Sequence, residues 1–126
     1  MHKLKNKIAL LVDDDERNTF ALSSYLETLD MKVLLAKNGE EALSVLQAGE
    51  KADIILLDIM MPVMDGYETL RAIKQMNTRN TIPVIAVTAK AMKGDREKCL
   101  EAGAWDYIAK PLDLKLLLEK INRWIA

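Results

Sequence analysis

The chain has 126 residues, half of them hydrophobic and 29% charged, which is the profile of one folded domain rather than a disordered tail or a membrane protein. Its formal net charge of −1 offers no basic field to hold a nucleic-acid backbone at physiological salt, so direct DNA or RNA binding is not expected. A chain of this length buries about two-thirds of its unfolded surface, enough for stability without a staple, and the lone Cys99 can form no internal bridge and fits a reducing cytosol.

Ile8 to Val12 is the first of five short apolar runs and ends in Asp13 and Asp14. The helical segment after it carries Leu22, Leu26 and Leu29 on one stripe, and Phe20 points away from that stripe. The second run, Met31 to Ala36, leads to Asn38, with Glu41 three residues on; Asp65 and Glu68 repeat that spacing after the third run, Ile54 to Leu57. Both pairs read as capping boxes, so Asn38 and Asp65 are predicted helix N-caps. The fourth run, Ile82 to Val87, ends at Thr88, and Gly103 stands where the fourth helix must stop and turn, a position suited to positive φ. The fifth run, Trp105 to Ala109, ends at Lys110. A last helix is predicted from about Leu112 to Ile125, burying Leu114, Leu117, Leu118, Ile121 and Ile125 and leaving Leu116 roughly opposite.

Runs that are continuously apolar, not alternating, belong to strands covered on both faces of a parallel sheet, and their separation by helices predicts repeated βα units in an α/β fold. No internal repeat, low-complexity stretch or linker divides the chain, so residues 1–126 are expected to form one domain. No segment approaches the ~18 uninterrupted apolar residues of a membrane span. Met1 to Lys7 lacks the apolar core of a signal peptide, and a cytoplasmic location is expected.

Polar residues punctuate the C-terminal ends of four runs: Asp13 and Asp14, Asp58, Thr88, and Lys110. In an open parallel sheet those ends line one rim, where ligands bind, so these side chains are expected to converge. Carboxylates brought together repel unless a cation neutralises them. Oxygen donors without His or Cys suit a hard ion such as Mg²⁺, with Mn²⁺ as a substitute, and disfavour zinc. A carboxylate attacking a phosphoryl donor meets negative charge on both sides, which a metal and a lysine offset; Asp58 is therefore a candidate nucleophile. Lys110 can reach it across the ~4.8 Å spacing of neighbouring strands, and Thr88 can offer a hydroxyl to an arriving phosphoryl oxygen.

The segments Leu11-Val12-Asp13-Asp14, Leu57-Asp58-Ile59-Met60-Met61-Pro62-Val63-Met64-Asp65-Gly66, Val87-Thr88-Ala89 and Tyr107-Ile108-Ala109-Lys110-Pro111 resemble, in order and spacing, the receiver domains of two-component response regulators and hybrid histidine kinases. The resemblance covers essentially the whole chain. It implies a single doubly wound five-stranded parallel sheet of order 2-1-3-4-5, flavodoxin-like (βα)5. It makes Asp58 the phosphoacceptor, and Asp13, Asp14, Asp58 and the backbone carbonyl of Met60 the Mg²⁺ ligands. Lys110 and Thr88 become the phosphate-binding pair, Thr88 and Tyr107 the switch, and Lys110-Pro111 a cis peptide bond. Met60 and Lys90 occupy positions that tune dephosphorylation in the family. The implied function is phosphoacceptor in a phosphorelay. The donor is a histidine kinase or histidine phosphotransfer protein. The signal leaves through a fourth-helix, fifth-strand and fifth-helix face to a downstream protein or a fused kinase or output domain, with a phosphorylation-dependent dimer as a further expectation.

Two exposed apolar residues are candidate contacts, Phe20 for the histidine-bearing donor and Leu116 for an output or dimer contact. One rival reading is an aspartyl-nucleophile phosphatase of the dehalogenase type. That chemistry wants a second aspartate two residues after the nucleophile, where this chain has Met60. A non-phosphorylated interaction module is opposed by the intact acidic, lysine and threonine positions. A flavodoxin-like cofactor binder is opposed by the absence of a glycine- or hydroxyl-rich phosphate loop after the first run.

Overall fold

The computed structural model describes residues 4–59, 66–76, 82–88 and 94–125. Strands β1 (Ile8–Val12), β2 (Lys32–Ala36), β3 (Ile54–Asp58), β4 (Val84–Thr88) and β5 (Asp106–Ala109) alternate with helices α1 (Glu16–Thr28), α2 (Gly39–Gln47), α3 (Gly66–Met76), α4 (Asp95–Ala102) and α5 (Leu114–Ile125). All neighbouring strands pair in parallel, in the order β2-β1-β3-β4-β5 that the resemblance implies.

The apolar runs form strands because every residue of β3 and β4 is buried, whichever face it points to. Alternate residues serve two layers. Leu10, Val12, Ile55, Leu57 and Ala86 pack with Ala42 of α2, Leu70 and Ile73 of α3 and Cys99 of α4. Ala9, Leu11, Ile54, Leu56, Ile85 and Val87 pack with Leu22 and Leu26 of α1 and Leu117 and Ile121 of α5. Helices α2 to α4 thus cover one face and α1 and α5 the other. The run feeding β2 departs from the expected two-sided burial: Lys32 and Leu35 are exposed because β2 is an edge strand with a neighbour on one side.

Local chemistry sets the ends. Asp15 caps α1, its carboxylate accepting from the Arg17 N–H at 3.0 Å. Asn38 caps α2 through the Glu41 N–H at 2.9 Å, while the Glu41 carboxylate reaches back to the N–H of Lys37, one residue ahead of the cap. Gly103 ends α4 at φ +123°, and a Cβ there would press on the Lys74 side chain at 3.1 Å. Asp65, the other predicted cap, lies outside the described residues.

The last helix corrects the sequence reading. It starts at Leu114, not Leu112, because Asp113 caps it by accepting the N–H groups of Lys115 and Leu116 at 3.0 and 3.2 Å. Leu114 is not buried; it is 41% exposed, as is Leu116. Leu114 lines the cleft beside Pro111 instead, and the stripe is sealed only from Leu117 onward, with Leu117 and Ile121 fully buried and Leu118 and Ile125 half-buried.

Candidate active site

Strand register brings the four rim positions together. Asp58, the last residue of β3, pairs with Val87, and Thr88, the last of β4, pairs with Ala109, so Lys110 leaves β5 one residue beyond them. The Lys110 N–H donates to the Thr88 carbonyl at 2.8 Å, and the Asp13 N–H to Ala36 at 3.1 Å. These bonds fix both chain segments against the ends of their neighbours.

Asp58 is only 4% exposed, and burying a carboxylate is costly unless it is paired. Lys110 supplies the pairing: its Nζ lies 3.3 Å from Asp58 Oδ2 and 3.6 Å from Asp13 Oδ2. Asp13 is half-buried and its other oxygen accepts the Asp15 N–H at 2.9 Å. Asp14 is exposed. One carboxylate oxygen from each of Asp13, Asp14 and Asp58 lies within 4.8 Å of the others. Three negative charges at that separation exceed what one ammonium offsets. An all-oxygen set with an open, solvent-facing side fits a hard divalent cation that keeps several waters. A cleft of about 300 Å³ is lined by Asp13, Asp58 and Lys110 and walled by Asn18 and Thr19 of α1 and by Pro111 and Leu114. Asn18 had no signal in the sequence, since only folding brings α1 against the rim.

The site side chains fall on two faces of the sheet. Asp58 lies in the cleft on the α1 and α5 side. Thr88, 2% exposed, follows Val87 of that layer and so points to the opposite face, as does Tyr107, which packs half-buried against the α2 to α4 layer. Lys110-Pro111 is cis, as the resemblance implies. Met60 and Lys90 lie outside the described residues. Gly66 is a feature that sequence reading left unexplained: a Cβ there would overlap the Ile59 backbone, and its N–H donates to the Ile59 carbonyl at 3.0 Å, which ties the start of α3 to the end of β3. Phe20 is 74% exposed and borders, with exposed Leu35, a second groove beside Asp13.

Over residues 9–122 the chain matches the family described as response regulator receiver domain. The chain belongs to that family. Among similar proteins, this receiver domain is 40% identical over 123 residues to hybrid signal transduction histidine kinase I of Dictyostelium discoideum, covering 93% of this chain and 7% of that protein. The receiver domain of sensor histidine kinase PA1611 from Pseudomonas aeruginosa, solved with a magnesium ion in its active site cleft, is 39% identical with a TM-score of 0.80, covering 95% of this chain and 98% of that one. The receiver domain of Saccharomyces cerevisiae Ssk1, solved with the histidine phosphotransfer protein Ypd1, is 30% identical with a TM-score of 0.89, covering 97% and 90% of the two chains. This chain spans about half or less of the length of such curated relatives, from 7% to 52%. Receiver domains are signalling modules rather than metabolic enzymes, and no described helix is long and apolar enough to cross a membrane.

Proposed function

We propose that this receiver domain, residues 1–126 as one unit, takes a phosphoryl group from a phosphohistidine onto Asp58 in a Mg²⁺-dependent reaction and signals through the α4-β5-α5 face. The observation that carries the reading is the convergence of Asp13, Asp14 and Asp58 within 4.8 Å with the Lys110 ammonium between two of them. The Mg²⁺ found in the PA1611 neighbour and the phosphotransfer partner of the Ssk1 neighbour support it.

In the transfer, an oxygen of Asp58 forms a bond to phosphorus as the phosphorus–nitrogen bond of the donor breaks, and the imidazole leaves with that electron pair. Lys110 neutralises phosphoryl oxygens as they pass, and the Thr88 hydroxyl donates to one of them afterwards. Asp13, Asp14 and Asp58 would hold the Mg²⁺, together with the Met60 carbonyl that the family resemblance adds, and Mn²⁺ can take its place. When bound, the ion supplies further neutralisation of charge on the phosphoryl group. Relaxation of Thr88 toward the new anion frees space on its sheet face for Tyr107, which alters packing at α4, β5 and α5.

The donor is a histidine kinase or histidine phosphotransfer protein that docks over Phe20. Leu116 on α5 serves an output or dimer contact, and the receiver passes its state to a downstream protein or a fused kinase or output domain in the cytoplasm. It runs one turnover per phosphoryl group received and is not a metabolic phosphatase. Acetyl phosphate with Mg²⁺ should add the mass of one phosphoryl group, and Asp58→Ala or chelation should abolish the gain. Steady multiple turnover of a phosphomonoester, or a gain that survives Asp58→Ala, would sink the reading. In the same assay Phe20→Ala should slow loading from the cognate phosphohistidine donor but not from acetyl phosphate; equal donor rates remove Phe20 from that interface.

A further inference from the structure

A second polar network lies at the opposite end of β5 from the phosphorylation site. Asp106, the first residue of β5, is 7% exposed. Its Oδ1 accepts the Tyr107 N–H and the Lys120 Nζ, each at 2.8 Å, and its Oδ2 accepts the Trp124 Nε1–H at 2.9 Å. Lys120 and Trp124 stand one turn apart on the same side of α5, and the Trp124 ring meets Trp105 edge-on at 5.3 Å and 80°. One carboxylate therefore joins the backbone at Tyr107, the start of β5 and the last two turns of α5.

Among the described residues the remaining attachment of α5 to the sheet is apolar, through Leu117 and Ile121 with Leu118 and Ile125 beside them. Apolar contact is non-directional and tolerates sliding. Hydrogen bonds to a charged, buried acceptor fix direction and distance. A displacement of β5 at Tyr107 thus reaches α5 through bonds of defined length, not through a greasy surface over which the helix can slip.

We infer that Asp106 is a positioning residue that couples β5 to α5, so that α5 follows β5 when phosphorylation of Asp58 rearranges Tyr107. This rests on the phosphoacceptor reading. Lys120 and Trp124 are the two points at which the helix is gripped.

The test uses the whole chain, loaded with acetyl phosphate and Mg²⁺, and hydrogen exchange of residues 106–109 and 114–125 with and without loading. Lys120→Met removes the ammonium, and Trp124→Phe keeps an aromatic ring while removing the N–H. In both variants the loading-dependent change in 114–125 should shrink at least about threefold, the scale of a lost coupling of this kind. The change in 106–109 and the rate of mass gain should stay within about twofold of the parent. If Lys120→Met does not fold, judged by its protection before loading, Trp124→Phe alone decides. A full response of 114–125 in Trp124→Phe, or a parent chain that loads normally without any response there, overturns the coupling. A parent that gains no phosphoryl mass fails differently: it removes the phosphoacceptor reading, and the coupling with it.

Discussion

Asp106 has a consequence at the level of a single carboxyl group. Burial alone pushes its acidity the wrong way, yet hydrogen bonds from Lys120, Trp124 and the Tyr107 backbone, with the nearby ammonium charge, hold it below its ordinary value of 3.8. A carboxyl depressed by folding stabilises the native state at pH values above its unfolded value, and that contribution is lost as pH falls through the lower folded value. Asp106→Asn is therefore expected to lower stability by about 1–3 kcal/mol near neutrality, the range for a disrupted buried charged hydrogen bond. The deficit should shrink below about pH 3.8 in urea titrations; an equal deficit at pH 7 and pH 3 would contradict the assignment. Asp106 was hidden in the sequence because it stands inside the apolar run Trp105 to Ala109, and Lys120 and Trp124 read there as ordinary positions of an amphipathic helix. The rim residues were visible for the opposite reason, since a charge at the end of an apolar run has no packing role to explain it.

Among the elements, α5 separates what periodicity can reveal from what it cannot. The stripe at three- and four-residue spacing located Leu117 and Ile121 in the core, and both are fully buried. Nothing in the spacing says which turn of the helix is covered, so Leu114 was assigned to the core although it is exposed and lines the cleft. The boundary came from Asp113, whose capping role a reading that began the helix at Leu112 passed over. Leu117→Ala should cost about 2–5 kcal/mol as a cavity in the α5 layer, whereas Leu116→Ala should fall within about 0.5 kcal/mol of the parent. Chemical denaturation of the two variants side by side checks the contrast, and comparable losses would refute the placement of the stripe. Burial of β2 differs on similar grounds: the run Met31 to Ala36 reads like the others, but β2 stands at the edge that the order implied by the resemblance gives it, and one side of it is bare.

For the molecule as a whole, the rim is a place where stability is surrendered to chemistry. Asp13, Asp14 and Asp58 repel one another, and Lys110 offsets only part of that. Without divalent cations, Asp13→Asn should raise the melting temperature by a few degrees, on the order of 1 kcal/mol for a domain of this size. Added Mg²⁺ should raise the melting temperature of the parent by mass action and raise that of the variant less. A variant that melts lower than the parent in chelator, or one that gains as much from Mg²⁺, would show that the carboxylates do not act as one charged cluster. The repeated βα units were legible in five apolar runs separated by helix-period segments, while the doubly wound order came from the family resemblance.

The placement of Asp58 and of the pair Thr88 and Tyr107 on opposite faces of the sheet makes β4 and β5 a partition with a doorway at its upper edge. A listener on the proposed α4-β5-α5 surface would straddle that partition, its α4 portion on the far layer and its α5 portion on the layer that α1 shares. Molecules designed to obstruct the α4 side of that partition should leave the proposed donor approach beside α1 undisturbed, whereas those wedged between α1 and α5 should disturb both.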